Sequence, residues 1–381
     1  MKRRDFLAAS IAALFAPRLA FARTGYERLL VLVELKGGND GLNTVVPYAD
    51  GGYYALRPRL AVPREQVLQL DERSGLHPAL APLMPLWQAR ELAVVQGVGY
   101  PRPNLSHFRS IEIWDTASAS DRYLDEGWLA RCFDAAPPPA AFAADGAVIG
   151  SNDMGPLGGG RARAIALADP EQFQRQARLA VPATSTRRNA ALAHVLKVEA
   201  DIVAAASRLS ADYAFRTEFP RSAFGGAVRS AAELAANRAG VAAIRLTLGG
   251  FDTHQNQLPQ QQRLLGELAA GLAALRGALQ EAGRWDDTLV MTYAEFGRRP
   301  AENGTGGTDH GTAAAHFVLG GAVRGGLYGE APRLDALEGG NLRYAVDFRS
   351  LYATALERWW GQPSAGVLGG RFAPLELLKQ V

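Results

Sequence analysis

The sequence predicts an α/β protein, a doubly wound and mostly parallel sheet with helices on both faces. Three observations predict it. Short runs rich in valine and leucine recur along the chain and stop at Gly-rich turns, as strands buried on both faces do. Helical stripes lie between the runs, and strand, helix, strand order calls for right-handed crossovers and parallel pairing. Acids and imidazoles follow several runs, at the strand ends where an open parallel sheet has its functional crevice.

Residues 1–22 read as an export leader: Lys2-Arg3-Arg4-Asp5-Phe6-Leu7 supplies a twin-arginine head, Leu7 to Phe15 an apolar stretch, and Ala20-Phe21-Ala22 a small-residue cleavage site. A periplasmic or secreted protein is therefore expected. No later run reaches about 18 uninterrupted apolar residues, so no integral membrane segment is expected after the leader is removed. The chain holds 41 basic and 38 acidic residues. Four of the basic and one of the acidic residues fall in the leader, so the remainder is near neutral. With no Lys/Arg cluster elsewhere, nucleic acid is excluded as a partner. Cys132 is the single cysteine and allows no intramolecular disulfide. Its apolar helical setting reads as that of a buried, inert thiol.

Residues 23–381 read as one domain. Arg28 to Leu35 is the first central strand. Leu92 to Gly97 and Ala147 to Gly150 follow, then Val241 to Leu248, Thr288 to Tyr293 and His316 to Leu319. Arg188 to Tyr213 carries a stripe of helical period, and Leu264, Leu265, Leu268, Leu272, Leu275 and Leu279 form another. Phe348 to Trp360 is expected as a closing helix. Pro137-Pro138-Pro139 and the Gly-rich 152–160 mark loops, so an insertion or cap is expected within about 98–185.

Gly37-Gly38-Asn39-Asp40-Gly41 follows the first strand; Asp40 is either a tight-turn acid or a metal ligand. Asp252 and His254 lie two apart, so in an extended segment they project to one side and could chelate one ion. Asp309-His310-Gly311 closes a Gly/Thr/Asn-rich loop of the kind that wraps a site. Glu295, after Thr288 to Tyr293, is placed for metal or base chemistry, and Arg298 beside it for holding an anionic oxygen. Ser106 falls near a helix N-terminus, as an ordinary N-cap or as a hydroxyl activated beside an anion site. His107 next to it takes no settled role. His77, His194 and His316 read as structural. No Gly-x-Ser-x-Gly elbow, Walker loop or Gly-x-Gly-x-x-Gly follows a strand, so serine-esterase, P-loop and dinucleotide chemistry are set aside.

On the stretches 35–44, Ser106-His107-Phe108-Arg109, Gly249 to His254, Glu295 to Arg298 and Gly306 to Gly311, the chain is identified as a member of domain-of-unknown-function family 1501. That family resembles the alkaline phosphatase and sulfatase superfamily, whose enzymes hold divalent metals at strand ends. The resemblance implies Asp40 as a ligand, Ser106 at the nucleophile position, and Asp252 with His254 as a ligand pair. The superfamily's next pair, an Asp-His-Gly close behind a strand, is displaced here. Glu295-Phe296-Gly297 stands in its place, and Asp309-His310-Gly311 comes a loop later. Either the loop folds back to supply Asp309 and His310, or Glu295 is the ligand.

The expectation is an exported hydrolase of phosphate or sulfate esters that uses a divalent ion (zinc, calcium or manganese). Asp40, Asp252, His254, Asp309 and His310 would lie near the ion, Ser106 would attack, Glu295 would serve as acid or base, and Arg298 or Arg109 would steady the anionic transition state. The alternative is a non-catalytic exported protein that uses the same cleft for binding or assembly with an envelope partner.

Overall fold

β1 (Leu29–Lys36) is the central strand of the computed structural model, which describes residues 25–167, 213–237 and 240–379. Leu29, Val31, Val33 and Leu35 enter one hydrophobic core, and Leu30 and Leu32 enter a second on the opposite face. With neither face open to water, the run carries no alternation of polar residues.

The main sheet adds β2 (Leu92–Gly99), β3 (Gly146–Ile149), β4 (Ala164–Leu167), β5 (Ala243–Gly249), β6 (Thr288–Tyr293), β7 (Ala314–Leu319), β8 (Gly326–Gly329) and β9 (Val346–Asp347). Its order is β8-β2-β7-β6-β1-β5-β3-β4, with β9 also paired to β2. Every pairing is parallel except those of β7, which runs against both β6 and β2. The exception has a simple cause. No crossover helix separates β6 from β7, so the chain loops at one rim of the sheet and must return in the opposite direction.

The helices that matter below are α1 (Gly41–Thr44), α2 (His107–Thr116), α3 (Trp128–Ala135), α4 (Ala223–Ala236), α5 (Gln257–Glu281) and α6 (Phe348–Ala353). α4 and α5 pack into the first core, and α5 does so through all six leucines of its stripe. α2, α3 and α6 pack into the second core, where Cys132 is buried and hydrogen-bonded to Tyr26. Burial pushes the Cys132 thiol up to about 11, which keeps it unreactive at neutral pH. Among the described residues, no helix is long and apolar enough to cross a membrane.

All six expected strands are present, with ends shifted by at most two residues. The closing helix is present as α6 followed by a π turn over Thr354–Trp359. β4, β8, β9 and a small three-stranded sheet (Val45–Val46, Leu68–Gln69, Gly75–Leu76) were not expected. At two to four residues each, they are too short to show a period. The 98–185 stretch, where an insertion was expected, is described as far as residue 167. It supplies α2 and α3 to one face and β3 and β4 to the sheet's edge. The expected leader and residues 188–212 of the expected helix, with His194, lie outside the described residues.

Candidate metal centre

Because β1, β2, β5 and β6 run parallel, their carboxyl ends share one rim, and β7 starts from that rim. The loops leaving these ends carry the candidate residues. Two glycines let the loops touch. Gly37 has φ +112°, and a Cβ there would overlap the backbone nitrogen of Asp252. A Cβ on Gly307 would overlap the backbone of His254.

Three imidazoles converge on Asp252. His254 Nε2 lies 3.0 Å and His310 Nε2 3.2 Å from Asp252 Oδ1, and His107 Nε2 lies 3.4 Å from Oδ2. His254 Nε2 and His310 Nε2 are 2.9 Å apart. The outer nitrogen of each ring faces an acceptor. His310 Nδ1 lies 2.8 Å from the Leu105 carbonyl oxygen, His107 Nδ1 lies 2.9 Å from Glu295 Oε1, and His254 Nδ1 lies 3.4 Å from Asp309 Oδ1. An acceptor at Nδ1 fixes the N–H on that atom and leaves Nε2 with its lone pair. For neutral rings in that tautomer, the Nε2 lone pairs face one another and the Asp252 carboxylate.

Such an array repels itself unless a proton or a cation sits among its lone pairs. Ligands about 2.0–2.1 Å from a tetrahedral zinc stand roughly 3.3 Å apart. The Asp252 contacts of 3.0, 3.2 and 3.4 Å match that spacing. His107, Asp252 and His310 alone place one ligand atom each within 4.8 Å of one another. The residues therefore fit a divalent ion.

Burial alone would raise the Asp252 carboxyl. The Arg298 guanidinium 2.6 Å away, with help from His310 and His254, outweighs burial and holds it at about 2. For His310, burial lowers the imidazole, against the pull of Leu105 and Asp252, which keeps the ring neutral for ligation. Asp309 is held below the usual carboxylate range, first by the Asn303 amide and also by His254.

The structure changes the assignment of several residues. Asp252, His254 and His310 come together as expected. His107 joins them, though its role could not be settled from sequence; its partner Glu295 is 188 positions away. Its signal was its place beside Ser106 at the rim. Asp309 and Glu295 stand behind the rings and orient them. Glu295 is buried and accepts from the Gly37 N–H at 2.9 and 3.1 Å, so its carboxylate is engaged behind the His107 ring.

Asp40 lies outside the cluster. Its carboxylate is buried and paired with Arg57 at 2.5 Å, receives the Gln257 amide, and caps α1 through Leu42 N and Asn43 N. No lone pair is left for an ion. Arg298 is buried too, and donates to the carbonyls of Gly37, Gly38, Phe251 and Thr308 as well as to Asp252. It ties the loops together and does not meet a substrate oxygen. Arg109 turns into its own loop, donating to Ala119, Ser120 and Arg122 and pairing with Glu112.

Ser106 is the N-cap of α2, yet its side chain makes no capping bond and is exposed. The residues on either side of it both touch the cluster, Leu105 through its carbonyl and His107 through its ring.

Fold and site together define an α/β protein with a His/Asp group at the strand ends, His107, Asp252 and His310, that could hold a metal ion. The chain belongs to the family described as protein of unknown function (DUF1501), whose model matches residues 77–360. No curated protein matches it. Solved structures of similar fold include a PsFucS1 sulfatase from Pseudoalteromonas sp. (12% identity, 99% of this chain and 75% of that one, TM-score 0.41). Others are the phosphonate monoester hydrolase SpPMH from Silicibacter pomeroyi (10%, 91% and 76%, TM-score 0.38) and the C-terminal periplasmic domain of EcEptC from Escherichia coli in complex with Zn (13%, 77% and 72%, TM-score 0.37).

Proposed function

We propose that the protein is an exported, metal-dependent hydrolase of phosphate or sulfate esters. One observation carries the reading: the Nε2 atoms of three histidines converge on a single carboxylate, while the Nδ1 of each ring faces an acceptor. Imidazole donors favour zinc, or another transition ion, over calcium. His107, His254, His310 and Asp252 would hold the ion, which would supply Lewis-acid polarisation of an ester oxygen.

The chain's own residues support the rest. Ser106 presents an exposed hydroxyl at the N-terminus of a ten-residue helix, where free N–H groups favour an anion. Glu295 holds the His107 ring still, and Arg298 holds Asp252 ionised. Residues 1–22 would direct export to the periplasm or beyond, by the twin-arginine head they carry.

The test is metal content and turnover on protein taken from its native export route. We expect about one equivalent of a divalent ion, retained through dialysis, and turnover of a phosphate or sulfate monoester that Ser106→Ala abolishes without releasing the ion. Less than about a tenth of an equivalent would overturn the metal reading. Bound ion with no turnover across a broad ester panel would leave the binding or assembly role.

A further inference from the structure

Asp40, expected at the ion, is a buried anchor instead, and what it anchors is informative. Gln257 is the first residue of α5 and is fully buried. Its amide nitrogen donates to Asp40 Oδ2. Its amide oxygen accepts two hydroxyls, Thr253 Oγ1 at 3.1 Å and Thr308 Oγ1 at 2.7 Å. Thr253 stands between the ligands Asp252 and His254. Thr308 stands two residues before the ligand His310. One side chain therefore grips both ligand loops, and the loops are also joined by the Thr308 N–H donating to the Thr253 carbonyl at 3.2 Å.

The amide can sit only one way round. Flipping it would put its oxygen against the Asp40 carboxylate and its NH2 where two hydroxyls now donate. Asp40 is in turn immobilised by Arg57, whose guanidinium also bonds the carbonyls of Arg299 and Pro300 in the loop that leads to His310. Buried networks in which every member is satisfied are rigid, because any displacement strands a polar group.

We propose that Gln257 is a positioning residue for the metal centre: through the hydroxyls of Thr253 and Thr308, it sets the distance between the loop bearing Asp252 and His254 and the loop bearing His310. The inference rests on the metal reading above. It concerns affinity for the ion and not turnover.

The experiment is zinc affinity, by competition with a chromophoric chelator, for the wild type, the double variant Thr253→Val/Thr308→Val and the double variant Thr253→Ser/Thr308→Ser. Valine keeps the shape and removes the hydroxyl; serine keeps the hydroxyl and removes a methyl. Positioning through Gln257 predicts an affinity about 10–100-fold weaker for the valine pair, as for other partners behind metal ligands, and within about threefold of wild type for the serine pair. Circular dichroism of the metal-free valine pair should match wild type. Simple packing predicts the reverse order, with serine worse than valine, and that order would overturn the proposal. So would a valine pair that binds as tightly as wild type. A wild type that takes up no zinc or other divalent ion would instead overturn the metal reading. Should the valine pair fail to fold, Gln257→Glu in its place sets a second carboxylate against Asp40 and is expected to weaken zinc comparably; unchanged zinc affinity would overturn the proposal.

Discussion

Asp40 and Asp252 look alike in sequence, each an acid in a Gly-rich turn just past a buried strand, yet the fold uses them in opposite ways. Asp40 is fully buried and saturated by Arg57, Gln257 and two backbone N–H groups. Asp252 leaves 45% of its side chain exposed, takes one guanidinium, and faces the Nε2 atoms of three imidazoles. An acid near donors is a structural joint. A half-exposed acid ringed by imidazole nitrogens is a place where a cation could sit.

The two neutralised variants should therefore fail in opposite ways, and this is the largest effect expected. Asp40→Asn leaves the Arg57 guanidinium buried without its counter-charge, which costs about 3–5 kcal/mol. Urea unfolding of the metal-free protein would measure it. Asp252→Asn removes a ligand and should weaken zinc by more than about 100-fold, beyond what losing a partner behind a ligand costs. Its effect on metal-free stability should be much smaller, because the group is half exposed and screened. If Asp40→Asn instead releases zinc from a protein of unchanged stability, the two acids are not different in kind.

A smaller effect separates the ligands from the groups behind them. Glu295→Gln keeps an acceptor for the Gly37 N–H but removes the charge behind His107. Zinc should weaken about 10–100-fold while the unfolding midpoint of the metal-free protein moves little. An affinity loss as great as that of Asp252→Asn would mean that Glu295 touches the ion itself.

Which of the two patterns an acid adopts was not legible locally. The strands were, because β1 and β6 are buried on both faces and betray it by continuous apolar sequence. The α5 stripe was, because its leucines repeat at the helical period. The short strands β4, β8 and β9 were not, since pairing with a longer neighbour makes them and no periodicity does. Asp252 and His254 could be placed at the rim because they closely follow a recognisable strand, whereas His310, a loop beyond its strand, was left open against Glu295. Asp40 misled because Gln257 lies 217 positions along the chain, and Arg57, although only 17 away, belongs to no motif. His107 was left without a settled role for the same reason, since only the fold reveals that Glu295 stands behind it.

The same contrast between joint and ligand extends to the histidines, and here the expected effect is smallest and depends on pH. His310 is at the rim, whereas His316 is wholly buried in β7 against the Trp114 ring, and its Nδ1 finds no partner. Burial lowers the His316 imidazole to about 3. In the unfolded chain it titrates near 6.5. Between those values the unfolded state holds a proton that the folded state refuses, so stability falls as pH falls through that window, by about 1.4 kcal/mol per pH unit. His77, lowered by burial to about 4, adds in the same direction. His316→Leu removes one of these two contributions and leaves the other. Between pH 7 and pH 5 the metal-free wild type should therefore lose about 2 kcal/mol more than the variant does, while zinc affinity at pH 7.5 stays the same in both. Parallel stability curves would place a proton acceptor beside His316, and a drop in zinc affinity would make this core histidine part of the centre.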